Sequence, residues 1–114
     1  MADDVIQRGW RYEDHIAYAA PDSLDDLHGP TTGRVRVGGH IDTSLNPVYD
    51  LGNAEDRWSL YSAVVRSGTR VDQMNLLDKG LLLTMWPSLN LPMRCRKTWQ
   101  MRFTELAEPV LRNR

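Results

Sequence analysis

A chain of 114 residues, 41% hydrophobic and 25% charged, is long enough for one domain with a single modest core and too apolar for wholesale disorder. Its one cysteine excludes an internal disulfide framework and any zinc site built on cysteines, and a net charge of −1 with a pI near 6.3 counts against nucleic-acid binding by the chain as a whole. No stretch approaches the roughly 20 apolar residues of a membrane span, and the opening MADDVIQRGW carries acids instead of an apolar leader, so the expectation is a cytoplasmic protein.

The charge is unevenly spread. Residues 1–57 hold eleven acids against five bases, and residues 58–114 four acids against nine bases. Such an electrical dipole implies either that the acidic half covers the basic half internally or that the basic half meets an anionic partner.

The expected fold class is α+β in one domain, residues 1–114: an irregular arm and a β-hairpin packed on a C-terminal bundle of about four short helices. Residues 1–33 form the arm, with Asp3, Asp4, Glu13, Asp14, Asp22, Asp25 and Asp26 interrupted by Gly and Pro. The only helix that fits is a short one over Ser23–His28, with Ser23 as N-cap, Asp26 at N3 and Gly29 as the stop. Trp10, Tyr12, Ile16 and Tyr18 give this acidic arm large apolar groups that can strap across the domain or fold onto a partner. Residues 34–52 read as a hairpin. Arg34, Arg36 and Gly38 alternate with Val35 and Val37, the second strand is Pro47–Leu51, and Thr43–Asn46 supplies the turn. Gly38-Gly39 predicts a bulge or sharp bend, and two strands alone must pack on helices.

From residue 53 to 107 the apolar period becomes helical. Asn53 caps a helix with Glu55 and Asp56 in its first turn, with Trp58, Tyr61, Val64 and Val65 facing inward and Ser67-Gly68 at its end. Thr69 with Asp72 forms a capping box before a brief helix whose Val71, Met74 and Leu77 share a face. Asp78 starts another, stopped by Pro87. The stretch Asn90–Leu106 has the clearest helical spacing: Cys95, Trp99, Phe103 and Leu106 make a buried stripe, Asn90 is the expected N-cap and Pro92 falls in the first turn. Residues 108–114 form a tail.

No catalytic constellation emerges. His15, His28 and His40 lack metal-ligand spacing, Asp25-Asp26 is explained by a helical first turn, Gly38-Gly39 lacks the strand–loop–helix context of a phosphate loop, and Cys95 sits in the core stripe. The expectation is a non-enzymatic binding protein without cofactor or metal. The arm offers Trp10, Tyr12, Asp22, Asp25 and Asp26 to a basic protein partner, aromatic anchors beside steering charge. The alternative is a DNA-binding regulator in which the last helix, after short helices and tight turns, presents Arg94, Arg96, Lys97 and Arg102 to the major groove.

Four strings, Leu27-His-Gly-Pro-Thr31, Val48-Tyr-Asp-Leu51, Met85-Trp-Pro-Ser-Leu89-Asn-Leu-Pro92 and Trp99-Gln-Met-Arg-Phe103-Thr-Glu-Leu106, resemble a family of small proteins from high-GC Gram-positive bacteria. Genes of that family lie beside a nucleotidyltransferase-type toxin. The resemblance, over roughly residues 24–106, implies an antitoxin or a regulator of such an operon, and carries no functional residue across.

Overall fold

The computed structural model describes residues 18–45 and 47–107. The expectations for Trp10, Tyr12 and Ile16, for Asn46 of the hairpin turn and for the tail 108–114 lie outside the described residues. In chain order come a 3-10 turn at Leu24–Asp26, strands β1 (Arg34–Arg36) and β2 (Val48–Asp50), and helices α1 (Ala54–Ser67), α2 (Arg70–Leu76), α3 (Lys79–Met85) and α4 (Met93–Arg102). A 3-10 turn at Trp86–Ser88 extends α3. This is the expected α+β arrangement. One core cluster draws on the arm (Ala20, Leu24, Leu27), the hairpin flanks (Val37, Leu51) and the helical part through Leu106.

α1 is the central helix because six consecutive residues, Leu60–Val65, are buried, so it has neighbours on most of its circumference. Asn53 Oδ1 accepts from the Asp56 amide at 2.9 Å, as its side-chain chemistry dictates at an N-cap. Tyr61, Val64 and Val65 are fully buried. Trp58 is not: its ring is about a third exposed and its Nε1 donates to the Ser88 carbonyl at 2.7 Å. At that end of the helix the neighbour is a turn with an unsatisfied carbonyl, and an indole is the side chain that can meet it while keeping an apolar body.

α2 begins with both halves of the capping box: the Thr69 hydroxyl accepts from the Asp72 amide at 3.1 Å and the Asp72 carboxylate accepts from the Thr69 amide at 2.9 Å. Its buried side differs from the expected Val71, Met74 and Leu77. Leu77 is buried, Met74 is half-buried and Val71 is 58% exposed, while Gln73 is completely enclosed. The carboxamide goes inside because three backbone carbonyls converge there. Gln73 Nε2 donates to Ala19 O at 3.0 Å, with Gly68 O and Val64 O within 3.5 Å. Carbonyls deprived of water need a donor, and an aliphatic residue could not supply one.

Asp78 caps α3 through the Leu81 amide at 3.0 Å, and its own amide is accepted by the buried Tyr61 hydroxyl at 2.9 Å. α4 starts later than expected. Pro92, not Asn90, occupies the N-cap, with no side-chain cap. Asn90 belongs to the preceding loop, where its amide donates to Ser62 Oγ at 3.0 Å and its carbonyl accepts from Arg66 at 3.3 Å. The stripe itself is as expected: Cys95 and Trp99 are fully buried, and Phe103 and Leu106 nearly so. Trp99 lies 6.1 Å from the Trp86 ring and 5.6 Å from Phe103, both tilted, a spacing at which aromatic pairs attract. The backbone leaves the helix at Phe103 and resumes it over 104–107, so the stripe spans two helical pieces.

The hairpin is antiparallel with Arg34 opposite Asp50, Val35 opposite Tyr49 and Arg36 opposite Val48. Pairing lasts three residues because the first strand ends before Gly38-Gly39, where Gly38 O accepts from both Ile41 and Asp42 amides. That bend lies ahead of the expected turn at Thr43–Asn46. Val37 and Leu51, at the two flanks, enter the core.

The arm from residue 18 straps across the helices. Its expected helix over Ser23–His28 shrinks to one 3-10 turn, in which the Ser23 hydroxyl accepts from the Asp25 amide instead of that of Asp26. The chain then extends, because it must run along the end of α2: His28 N donates to Met74 O at 2.9 Å and Gly29 N to Leu77 O at 2.8 Å.

Candidate partner-binding surface

Two of the acids expected to meet a partner, Asp22 and Asp25, are paired within the molecule. Asp22 Oδ1 lies 3.2 Å from Arg102 and 3.7 Å from Arg70, and Asp25 accepts from Lys79 Nζ at 2.7 Å. Lys79 also approaches Glu105 at 4.0 Å. The carboxylate of Asp25 raises the Lys79 pKa above the ordinary lysine value. Asp22 and Asp25 of the acidic arm thus lie on cations of the basic half. These pairs are solvated, so they orient the arm and add little stability. Asp26 is exposed, and Trp10 and Tyr12 lie outside the described residues.

The basic set divides in the same way. Arg96 donates from Nη1 to Trp86 O at 3.0 Å and from Nη2 to Leu89 O at 2.6 Å, with its guanidinium 5.0 Å from the Trp86 ring centre. It clamps the turn between α3 and α4. Arg102 Nε donates to Pro21 O at 2.8 Å, pinning the arm. The four cations thus do not form one outward row, because at 3.6 residues per turn their positions spread around the helix. Arg94 and Lys97 are exposed. So are Met93, at 75%, and Met101, at 84%. With Thr98 these share about 140° of α4 opposite Cys95 and Trp99, and the backbone positions of the two methionines stand about 12 Å apart along the axis. Reading the helix for its cations alone missed the methionines, although their eight-residue separation was available in the sequence.

The reactive side chains have structural partners. His40 Nε2 lies 2.6 Å from Asp72 Oδ2, and His28 bridges Asn75 Oδ1 at 2.8 Å and Asp26 O at 3.0 Å. Asp42 accepts from the Tyr49 hydroxyl at 2.6 Å, which together with Ser44 lowers its pKa, while burial and Asp42 push Tyr49 up to about 12. Burial raises the Cys95 thiol to about 11, so it stays protonated and unreactive at neutral pH. Among the described residues no group of three or more His, Cys, Asp or Glu side chains could hold a metal ion, and no helix is long and apolar enough to cross a membrane.

A cleft unforeseen in the sequence lies where α3 and the Trp86–Ser88 turn meet α4 and the segment beyond it. Leu83, Trp86, Pro87 and Leu106 wall a space of about 260 Å³ bordered by Arg96, Gln100 and Glu105. Its residues come from three separate stretches, so no local motif announces it. In comparisons with known proteins, no protein-family model, curated protein or solved structure matches this chain.

Proposed function

We propose that this chain is a small non-enzymatic protein-binding module that meets its partner through the outer face of α4. The observation that carries this reading is the exposure of Met93 and Met101 on either side of Lys97 and Arg94. Methionine is flexible and polarizable, so it suits a surface that must adapt to another protein, and the cations between the thioethers steer association toward an acidic patch. The partner that the family resemblance implies is a nucleotidyltransferase-type toxin, with this chain as its antitoxin. The contact is placed on α4 because Met93 and Met101 are exposed there, whereas Asp22 and Asp25 of the arm already have partners within the molecule.

Co-expression and affinity capture of the neighbouring gene product, with Met93→Ala/Met101→Ala as the comparison, tests this. Both side chains are exposed, so the variant keeps its fold, and the expected result is a complex weakened by about tenfold or more, as for loss of apolar anchors. Absence of a complex at micromolar concentration overturns the reading. DNA binding by the same helix retains Arg94 and Lys97 as outward cations. Two phosphate contacts give a log affinity against log salt slope of only about −2. A much steeper slope on upstream DNA would favour the regulator over the protein-binding module.

A further inference from the structure

The cleft beside Trp86 is not used by the α4 surface, and its chemistry points to a small ligand. Its walls are apolar: Leu83, Trp86, Pro87 and Leu106. At about 260 Å³ it is smaller than the roughly 300–1,000 Å³ typical of drug-sized ligands, and matches one amino-acid-sized molecule. Two groups of opposite charge, Arg96 and Glu105, border it.

Arg96 is a fixed cation. Two hydrogen bonds to the carbonyls of Trp86 and Leu89, and its position over the Trp86 ring, hold the guanidinium in one place, so an anion meeting it need not immobilise a loose side chain. A guanidinium carries five N–H donors, so these two bonds leave donors for a ligand carboxylate. Glu105 is about half exposed, with Lys79 at 4.0 Å as its nearest ion partner, and its carboxylate is an acceptor for an ammonium group. An apolar acid alone would leave Glu105 facing an anion, and an apolar amine alone would leave Arg96 facing a cation. A zwitterion answers both.

We propose that this cleft binds a free α-amino acid with a bulky apolar side chain, its carboxylate on Arg96, its ammonium on Glu105 and its side chain against Trp86 and Leu83. A residue within or at either end of a peptide lacks one or both charges, which separates the free amino acid from a peptide terminus.

Calorimetric titration of the full chain with L-phenylalanine, N-acetyl-L-phenylalanine and L-phenylalanine amide tests the proposal. The expected result is saturation by the free amino acid at about 1 mM or below, with each capped form about tenfold weaker. Glu105→Gln should erase the advantage of phenylalanine over its N-acetyl form. Since Glu105 is a half-exposed surface group, this variant retains the fold. Leu83→Trp, which fills the cleft, should abolish binding of all three. Absence of saturation by about 10 mM, equal affinity for the three ligands, or a Glu105→Gln variant that keeps the full preference would each overturn it.

Discussion

Gly29→Ala is the substitution that most directly tests how the arm is held. A Cβ built at Gly29 would lie 2.6 Å from the Leu76 carbonyl oxygen and the Leu77 amide nitrogen, and closer still to the Leu76 carbonyl carbon. All three are backbone atoms at the end of α2, so no side-chain rotation relieves the clash and the arm must lift. Overpacking of this kind costs about 1–3 kcal/mol. Lifting the arm also strains the hydrogen bonds from His28 N to Met74 O and from Gly29 N to Leu77 O, at about 1 kcal/mol each. The smaller entropy of alanine in the unfolded chain returns about 0.4–1 kcal/mol. The net expectation is a loss of about 2–4 kcal/mol, or a melting temperature lower by roughly 10–20 °C. Urea and thermal unfolding followed by far-ultraviolet circular dichroism measure it. Gly39→Ala is the control: nothing lies within 4 Å of its built Cβ, so its stability should stay within about 1 kcal/mol of the parent. A Gly29→Ala protein within about 0.5 kcal/mol of the parent would refute the close approach of arm and helix.

Two further outcomes follow from the ionisable groups. Burial raises the Asp72 pKa, but hydrogen bonds from His40 and Thr69 outweigh it and hold the carboxyl below the ordinary aspartate value; its stabilisation is therefore present above the unfolded pKa, near 4, and lost as pH falls through the lower folded value. The stability gap between the parent and Asp72→Asn should accordingly shrink on acidification from pH 7 to about pH 3, and a gap constant with pH would contradict the network. Cys95 should resist an aromatic disulfide reagent at pH 8 in the native chain and react fully in denaturant, because the thiol is buried and pushed up to about 11; rapid native modification would show that the α4 stripe opens.

What could be read from the residues depended on the range of the interaction. Asn53, Thr69 with Asp72, and Asp78 cap helices through amides within three positions along the chain, so each was legible without knowledge of the rest. The stripe Cys95, Trp99, Phe103 and Leu106 was legible for a similar reason: helical spacing alone brings its members to one side, and the core then takes them. Asn90 deceived because an Asn before a helix satisfies the local cap rule, whereas its backbone was already held by Ser62 and Arg66 across the fold. Val71, expected inside, is exposed and Gln73 is enclosed for a comparable reason. On a seven-residue helix two faces compete, and the three carbonyls that favour Gln73 come from Ala19, Val64 and Gly68.

The sequence by itself determined the α+β composition, the caps that start α1, α2 and α3, and the buried stripe of the final helix, since these rest on dihedral preference, capping and periodicity over a few residues. Only the tertiary structure decided which charges face outward. Arg102 and Pro21 lie 81 residues apart, and Arg96 is held by carbonyls of a turn whose path no local rule specifies. A guanidinium is attracted alike by a solvated phosphate, a carboxylate or an idle carbonyl, so its partner is settled by whichever acceptor the folded chain brings within about 3 Å.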